Sequence, residues 1–288
     1  MRRPARVSVG AMPASLSPLH VAVSACAVLS AGCWIVSVVT RNYSQVDRLW
    51  SIAPPLYVGW FAASAGLGDA RLDLMAALAL LWGARLTYNF ARKGGYRAGS
   101  EDYRWEAVRR RVGPVGFQIL NATFLAPLQN VLLLLLALPA ARALERRGAP
   151  LGALDVAAAL GFLVFLAGEA VADGQQWRFQ SDKRARRARG ERVAGEFVTS
   201  GLFAWSRHPN FFCEMALWWS FSLFSLAAGA GVADVAMLGA PLLTLLFQAS
   251  TALTERISLE KYPAYAAYQA RTSRILPLPR RQPRASRS

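Results

Sequence analysis

Long uncharged runs recur through this chain, and they constrain its fold more than any other feature. Seven can be drawn, at about residues 19–39, 52–68, 72–90, 117–138, 152–172, 211–230 and 233–252. A helix needs about 20 mostly apolar residues to cross a hydrocarbon layer of roughly 30 Å. Inside lipid, each backbone polar group must also find its partner within the protein. The expected fold is therefore all-α: a polytopic integral membrane protein with seven transmembrane helices. Charge content agrees, because only 17% of the 288 residues are charged, against about 25% in an average soluble domain.

Basic residues set the expected orientation, since cytoplasmic loops are enriched in Lys and Arg. With seven spans drawn, 25 of the 33 Lys and Arg fall on the side that holds the C-terminus and seven on the other, with Arg85 inside the third span. This places the N-terminus outside and the C-terminus in the cytoplasm. Residues 1–18 form an N-terminal tail and 19–276 a single membrane domain. Residues 277–288, rich in Pro and Arg, read as a disordered basic tail near anionic lipid. The first apolar run is too long for the core of a secretory signal and is taken as a span.

The formal charge of +16 is accordingly read as topology and lipid contact, with no nucleic-acid partner. Cys26, Cys33 and Cys213 lie in or beside apolar runs without a ligand spacing, so neither a disulfide framework nor a metal site is expected. Neither a dinucleotide-binding glycine fingerprint nor a phosphate-binding P-loop occurs. A nucleotide would have to bind on helices and their cytoplasmic loops.

Ionisable residues inside apolar spans are costly and mark cavities and function. Arg85 sits in LWGARLTYNF, Glu169 and Asp173 in AGEAVADGQQWRF, Glu214 in NFFCEMALWW, and Glu255 just past the seventh span; Asp47 precedes the second. Glu169 with Asp173, and Asn210 with Glu214, stand four apart and share helical faces. Together they suggest one hydrophilic pocket open to the cytosol. Ser206-Arg207-His208-Pro209-Asn210 leads into the sixth span, where a helix N-terminus beside Arg207 suits a phosphate or carboxylate. The basic run from Lys183 to Arg192 reads either as lipid contact or as contact with nucleotide phosphates.

These residues also resemble a known family. GLFAWSRHPNFFCEMALWW, with ADGQQWRF before it and TERISLEKYPAYAAYQARTSRILP after it, is similar to the bacterial members of the steroid 5α-reductase family. NYSQVDRLWSI and LWGARLTYNFARKGGYRAGSEDYRW extend the likeness over about residues 41–277. The resemblance implies a seven-helix membrane enzyme that uses NADPH to saturate a carbon–carbon double bond conjugated to a ketone. It implies that Asn210 and Glu214 hold the nicotinamide end, that Asp173 and Arg85 lie at the cofactor, and that Glu169 stands where the animal enzymes have Asn. Lys183, Arg207, His208, Glu255 and Tyr265 join the implied cofactor set. Asp47 falls near the acid that hydrogen-bonds the steroid ketone, and Trp82 near the Tyr that completes that pair, so Asp47, Trp82 and Glu214 are the expected catalytic residues.

Two other classes stay open at this point. Membrane methyltransferases of the isoprenylcysteine and phospholipid type share an Arg-His-Pro signature before a membrane helix and use S-adenosylmethionine. A non-enzymatic sterol or lipid binder is the third reading. The expected partners are a lipid-like small molecule entering from the bilayer and the membrane lipids themselves, the protein acting as a monomer. The Ala- and Arg-rich composition points to a bacterial inner membrane, with the cofactor site facing the cytoplasm.

Overall fold

The computed structural model describes residues 17–191 and 195–280. Most of both tails, and Arg192 of the basic run, lie outside the described residues. Those described form ten α-helices and no strands: α1 Pro18–Thr40, α2 Gln45–Leu49, α3 Ala53–Ser64, α4 Ala70–Arg92, α5 Tyr103–Leu120, α6 Gln129–Glu145, α7 Ala153–Ala188, α8 Pro209–Ala227, α9 Gly239–Lys261 and α10 Tyr265–Arg271. Local chemistry sets several starts. Ser17 accepts the His20 backbone N–H before α1, Asp69 accepts that of Leu72 before α4, and Pro209 occupies the first turn of α8, where its missing N–H costs nothing.

Helices α5 and α6 run on through a π-helical stretch, Asn121–Leu128. α5 itself bends at Gly113, whose φ of 73° precedes Pro114; a side chain disfavours that conformation. The π-helical stretch ends beside Gln129, and its Phe124 reaches the apolar cavity described below.

Four stretches are long and apolar enough to cross a membrane by length and composition: Pro18–Thr40, Tyr103–Glu145, Ala153–Ala188 and Val235–Lys261. The expected count of seven is reduced to four on this criterion, for three local reasons. α3 has 12 residues and reaches about 18 Å. α4 carries Arg71, Asp73, Arg85 and Arg92. α8 carries Glu214 and is diluted by tryptophans and serines. The fifth apolar run, drawn to about residue 172, belongs to a longer helix, since α7 continues to Ala188. Its 36 residues extend about 54 Å, well beyond one hydrocarbon layer.

α6 packs against α1, α3, α4, α8 and α9. Most of the largest fully buried side chains share the main core: Phe61, Trp82, Leu133, Phe162, Trp218, Phe221 and Phe224. Helices approach closely where small residues allow it. A Cβ on Gly83 would lie 2.6 Å from the Ser51 carbonyl oxygen and from Pro55, and one on Gly239 2.7 Å from the Leu135 carbonyl oxygen. The outer faces are apolar, with Val28, Val39, Val164 and Leu245 exposed, a surface suited to lipid.

α4 and α7 are clamped at two levels. Near their N-termini Arg71 makes a buried ion pair with Asp155, at 2.7 and 2.9 Å. Fourteen residues further along each helix, Arg85 meets Glu169. The two helices therefore run parallel and in register, and the second level is where the functional groups gather.

Candidate functional site

Arg85 of α4 stands among three carboxylates. It donates to Glu169 Oε1 at 2.6 Å and Asp173 Oδ2 at 2.7 Å, both on α7, and lies 3.8 Å from Glu214 Oε2 on α8. Two of the acids, Asp173 and Glu214, have further partners of a different kind. Asn89 donates to Asp173 Oδ2 at 2.6 Å and Lys93 approaches Oδ1 at 3.4 Å. Glu214 accepts the Trp82 indole N–H on Oε2 at 3.0 Å and that of Trp218 on Oε1 at 3.1 Å. Glu169, Asp173 and Glu214 are all buried, so each missing partner would leave a polar group in a dry interior.

The acids open onto a cavity of about 450 Å³. Its walls are largely apolar, with Leu86, Phe90, Leu120, Phe124, Leu246 and Phe247. Asp47 faces the same space from α2 and accepts the Trp105 indole N–H at 3.2 Å. Burial pushes the Asp47 carboxyl above the usual carboxylate range, against the pull of Arg104. Arg104, also on this wall, is held by both Asp102 oxygens and donates to Ser250 of α9 at 2.7 Å.

A second cavity, of about 520 Å³, adjoins the first and shares Lys93, Asn210 and Phe211 with it. Lys93, Arg184, Arg207 and His208 line it with Gln176, Gln180 and the rings of Trp177, Phe197, Tyr265 and Tyr268. Among the described residues no Asp or Glu lines it. Burial pushes the Tyr265 and Tyr268 phenols up, which keeps both neutral. Both volumes fall in the roughly 300–1,000 Å³ range of small-molecule and cofactor sites.

The wall of this second cavity is tied to the C-terminal segment. Arg207 binds Glu255 through Nε at 2.6 Å and NH2 at 3.0 Å, and donates from NH1 to the Gln269 and Thr272 carbonyls. His208 Nε2 and Gln269 complete the Glu255 carboxylate, at 3.1 and 2.9 Å. The backbone N–H groups of Arg207 and His208 donate to the Ser273 and Arg274 carbonyls. Residues 206–208 and 272–275 thus form one knot.

The family described as a protein of unknown function (DUF1295) matches residues 33–272, which include every residue of the acid cluster and the knot up to Thr272. The chain belongs to this family. An uncharacterized protein of Schizosaccharomyces pombe is 38% identical over 265 residues, covering 85% of this chain and 75% of the relative. No solved structure matches the chain.

For this member of the family, the structure brings Arg85, Glu169, Asp173 and Glu214 together, with Asn210 and Asp47 on the same cavity. Arg207, His208 and Tyr265 line the second cavity, with Glu255 behind them. Three expectations are revised. Trp82 is fully buried behind Glu214 and lines neither cavity, so Trp105 is the ring that meets Asp47. Arg207 is not a free charge at the α8 N-terminus, because Glu255 and two carbonyls take its donors. Lys183 is buried against the Glu196 carbonyl and the Tyr262 ring, outside both cavity walls.

Sequence reasoning passed over Asn89, Lys93, Trp218, Trp105 and Arg104. Asn89 and Trp218 follow Arg85 and Glu214 by four residues, the spacing that puts side chains on one helical face, and could have been read. Trp105 and Arg104 carried no such signal.

Proposed function

We propose that this protein is an NADPH-dependent reductase of a carbon–carbon double bond conjugated to a ketone in a lipid-like substrate, such as a 3-oxo-Δ4 steroid. The observation that carries the reading is the pairing of the two cavities. One is lined by cations, amides and aromatic rings without a carboxylate, the other by apolar walls with acids, and they meet at Asn210 and Phe211. That pairing suits an anionic dinucleotide beside an apolar acceptor. The resemblance of the ADGQQWRF and SRHPNFFCE segments to steroid 5α-reductases supports the same assignment.

Lys93, Arg184 and His208 would hold phosphate oxygens, and Trp177, Tyr265 and Tyr268 offer faces for flat rings. Asn210 and Glu214 would hold the nicotinamide end where the cavities meet. When bound, NADPH supplies a hydride to the β-carbon of the enone, while negative charge gathers on the carbonyl oxygen. Asp47, whose protonated form burial favours and which Trp105 fixes, would donate a hydrogen bond to that oxygen. A donor aimed at developing charge in a dry site lowers the barrier by a few kcal/mol. The walls of Leu, Phe and Trp exclude water and take the apolar body of the substrate.

In this reading the run 52–68 that contains α3, together with α4 and α8, also crosses the membrane, the polar groups satisfied inside the bundle, which gives seven spans. The excess of Lys and Arg sets the C-terminus and the second cavity on the cytoplasmic side, at the inner membrane if the chain is bacterial. The protein works as a monomer, with substrate entering from the bilayer.

A membrane methyltransferase also needs two adjoining cavities. Its cofactor carries a sulfonium cation, however, and a basic cavity without a carboxylate disfavours one. The test is NADPH consumption by the detergent-purified full chain on addition of 3-oxo-Δ4 steroids and simpler apolar enones. Loss of NADPH absorbance with a product heavier by two hydrogens is expected. Methyl transfer from S-adenosylmethionine with no NADPH consumption would replace the reading.

A further inference from the structure

The acid cluster holds one carboxyl oxygen that nothing among the described residues binds. Glu169 is 4% exposed and lines the apolar cavity. Its Oε1 accepts from Arg85, but its buried Oε2 has no hydrogen-bond partner. The other two acids differ. Both oxygens of Glu214 accept indole N–H groups, and both oxygens of Asp173 meet donors from Arg85, Asn89 or Lys93.

Charge balance favours one neutral acid here. Among the described residues two cations, Arg85 and Lys93, pair with the three carboxyls of this cluster. This leaves one acid in excess, and Glu169 is the one with a bare oxygen. An uncompensated buried carboxylate with a bare oxygen is strongly disfavoured, whereas a carboxylic acid is not. A protonated Glu169 fits its contacts: the carbonyl oxygen Oε1 accepts from Arg85, and the hydroxyl on Oε2 has no acceptor among the described residues, on a side chain that lines the cavity.

We infer that Glu169 is the proton donor of this site, an inference that rests on the reductase reading for the identity of the acceptor. After hydride from NADPH reaches the β-carbon, the substrate is an enolate. Its electron pair forms a C–H bond at the α-carbon as the Oε2–H bond of Glu169 breaks. Glu169 is left as a carboxylate beside Arg85, and a proton from water restores it. The substrate thus gains one hydride and one proton, and NADPH leaves as NADP⁺.

The acid can be read without turnover, by infrared spectroscopy of the full chain in detergent. Because Asp47 is the other acid read as protonated, the comparison is made in Asp47→Asn: a protonated-carboxyl C=O band that shifts in D₂O is expected there, and is expected to vanish when Glu169→Gln is added. A band unchanged by Glu169→Gln in that background, or no band in Asp47→Asn, overturns the inference. In parallel, Glu169→Gln is expected to bind NADPH within about twofold of wild type while turnover with an enone falls 10²-fold or more, the scale of general acid catalysis. Glu169→Asp is expected to recover part of that turnover. Full turnover in Glu169→Gln sinks the donor role and leaves the reductase reading intact. A wild-type protein that shows the Glu169 band but never oxidises NADPH sinks the reading and the enone acceptor with it.

Discussion

The indole N–H of Trp82 on α4 reaches across to Glu214 Oε2 on α8 at 3.0 Å, and Trp218 closes the other oxygen. The two rings sit edge to face, with centroids 4.8 Å apart. Glu214 is thereby fixed at the cavity wall by groups that carry no charge, which leaves the cations of α4 to Glu169 and Asp173. Trp82→Phe keeps most of the ring but leaves one carboxylate oxygen buried without its donor. A loss of about 1–3 kcal/mol is expected, the usual cost of an unsatisfied buried polar group, measured as a lowered unfolding midpoint in detergent.

The knot between Arg207 and the C-terminal segment gives a second prediction. Arg207→Lys keeps the charge but loses the two-pronged grip on Glu255 and the two carbonyl contacts, a geometry that Lys cannot reproduce. The segment from residue 272 onward should then detach. Limited proteolysis is expected to cut between Thr272 and Arg280 much faster than in wild type, and NADPH affinity to weaken with the loss of the cavity wall. Unchanged proteolysis would show that the backbone bonds of residues 207 and 208 suffice.

Asp47 yields a prediction in pH. Burial raises its carboxyl in the folded state, so the folded protein binds this proton more tightly than the unfolded chain, whose Asp titrates near 3.9. Stability from this group is present below the unfolded value and is lost as pH rises through the folded one. Asp47→Asn removes that loss. The variant should match wild type in acid and gain on it as pH approaches neutrality, by thermal unfolding at several pH values. Its turnover should fall, on the order of 10²-fold, because a weaker donor faces the substrate carbonyl. Full turnover in Asp47→Asn would exclude an essential acid role.

Helix contact supplies a control that needs no ligand. At Gly83 an added methyl meets the Ser51 carbonyl oxygen and Pro55 at 2.6 Å, whereas at Gly59 nothing lies within 4 Å. Gly83→Ala is expected to destabilise by about 1–3 kcal/mol through overpacking. Gly59→Ala, inside α3, should be neutral or stabilise by up to about 1 kcal/mol from helix propensity. Equal effects would contradict the packing of α3 on α4.

Much of the site was legible because a charge in an apolar run has few explanations. Arg85, Glu169, Asp173 and Glu214 were each found that way, and they meet. What stayed hidden depends on contacts between distant segments. Nothing in EDYRW shows that Trp105 will meet Asp47, 58 positions earlier. Arg207 read as an open charge because its partner, Glu255, comes 48 positions later. Trp82 was placed by resemblance beside the substrate, yet its indole turns to Glu214. The helical character of the chain followed from apolar runs, but the number long and apolar enough to cross did not, since α3, α4 and α8 are shortened or polar where they pack inside.

The most direct test of a nucleotide-using reductase is ligand-selective stabilisation of the detergent-purified full chain, since a ligand that binds only the folded state raises its unfolding midpoint. NADPH, NADH and S-adenosylmethionine are compared at equal concentration. The account predicts a clear rise with NADPH that weakens when Lys93 is changed to Ala, a smaller rise with NADH and none with S-adenosylmethionine. A rise with S-adenosylmethionine alone would contradict it and assign the basic cavity to methyl transfer.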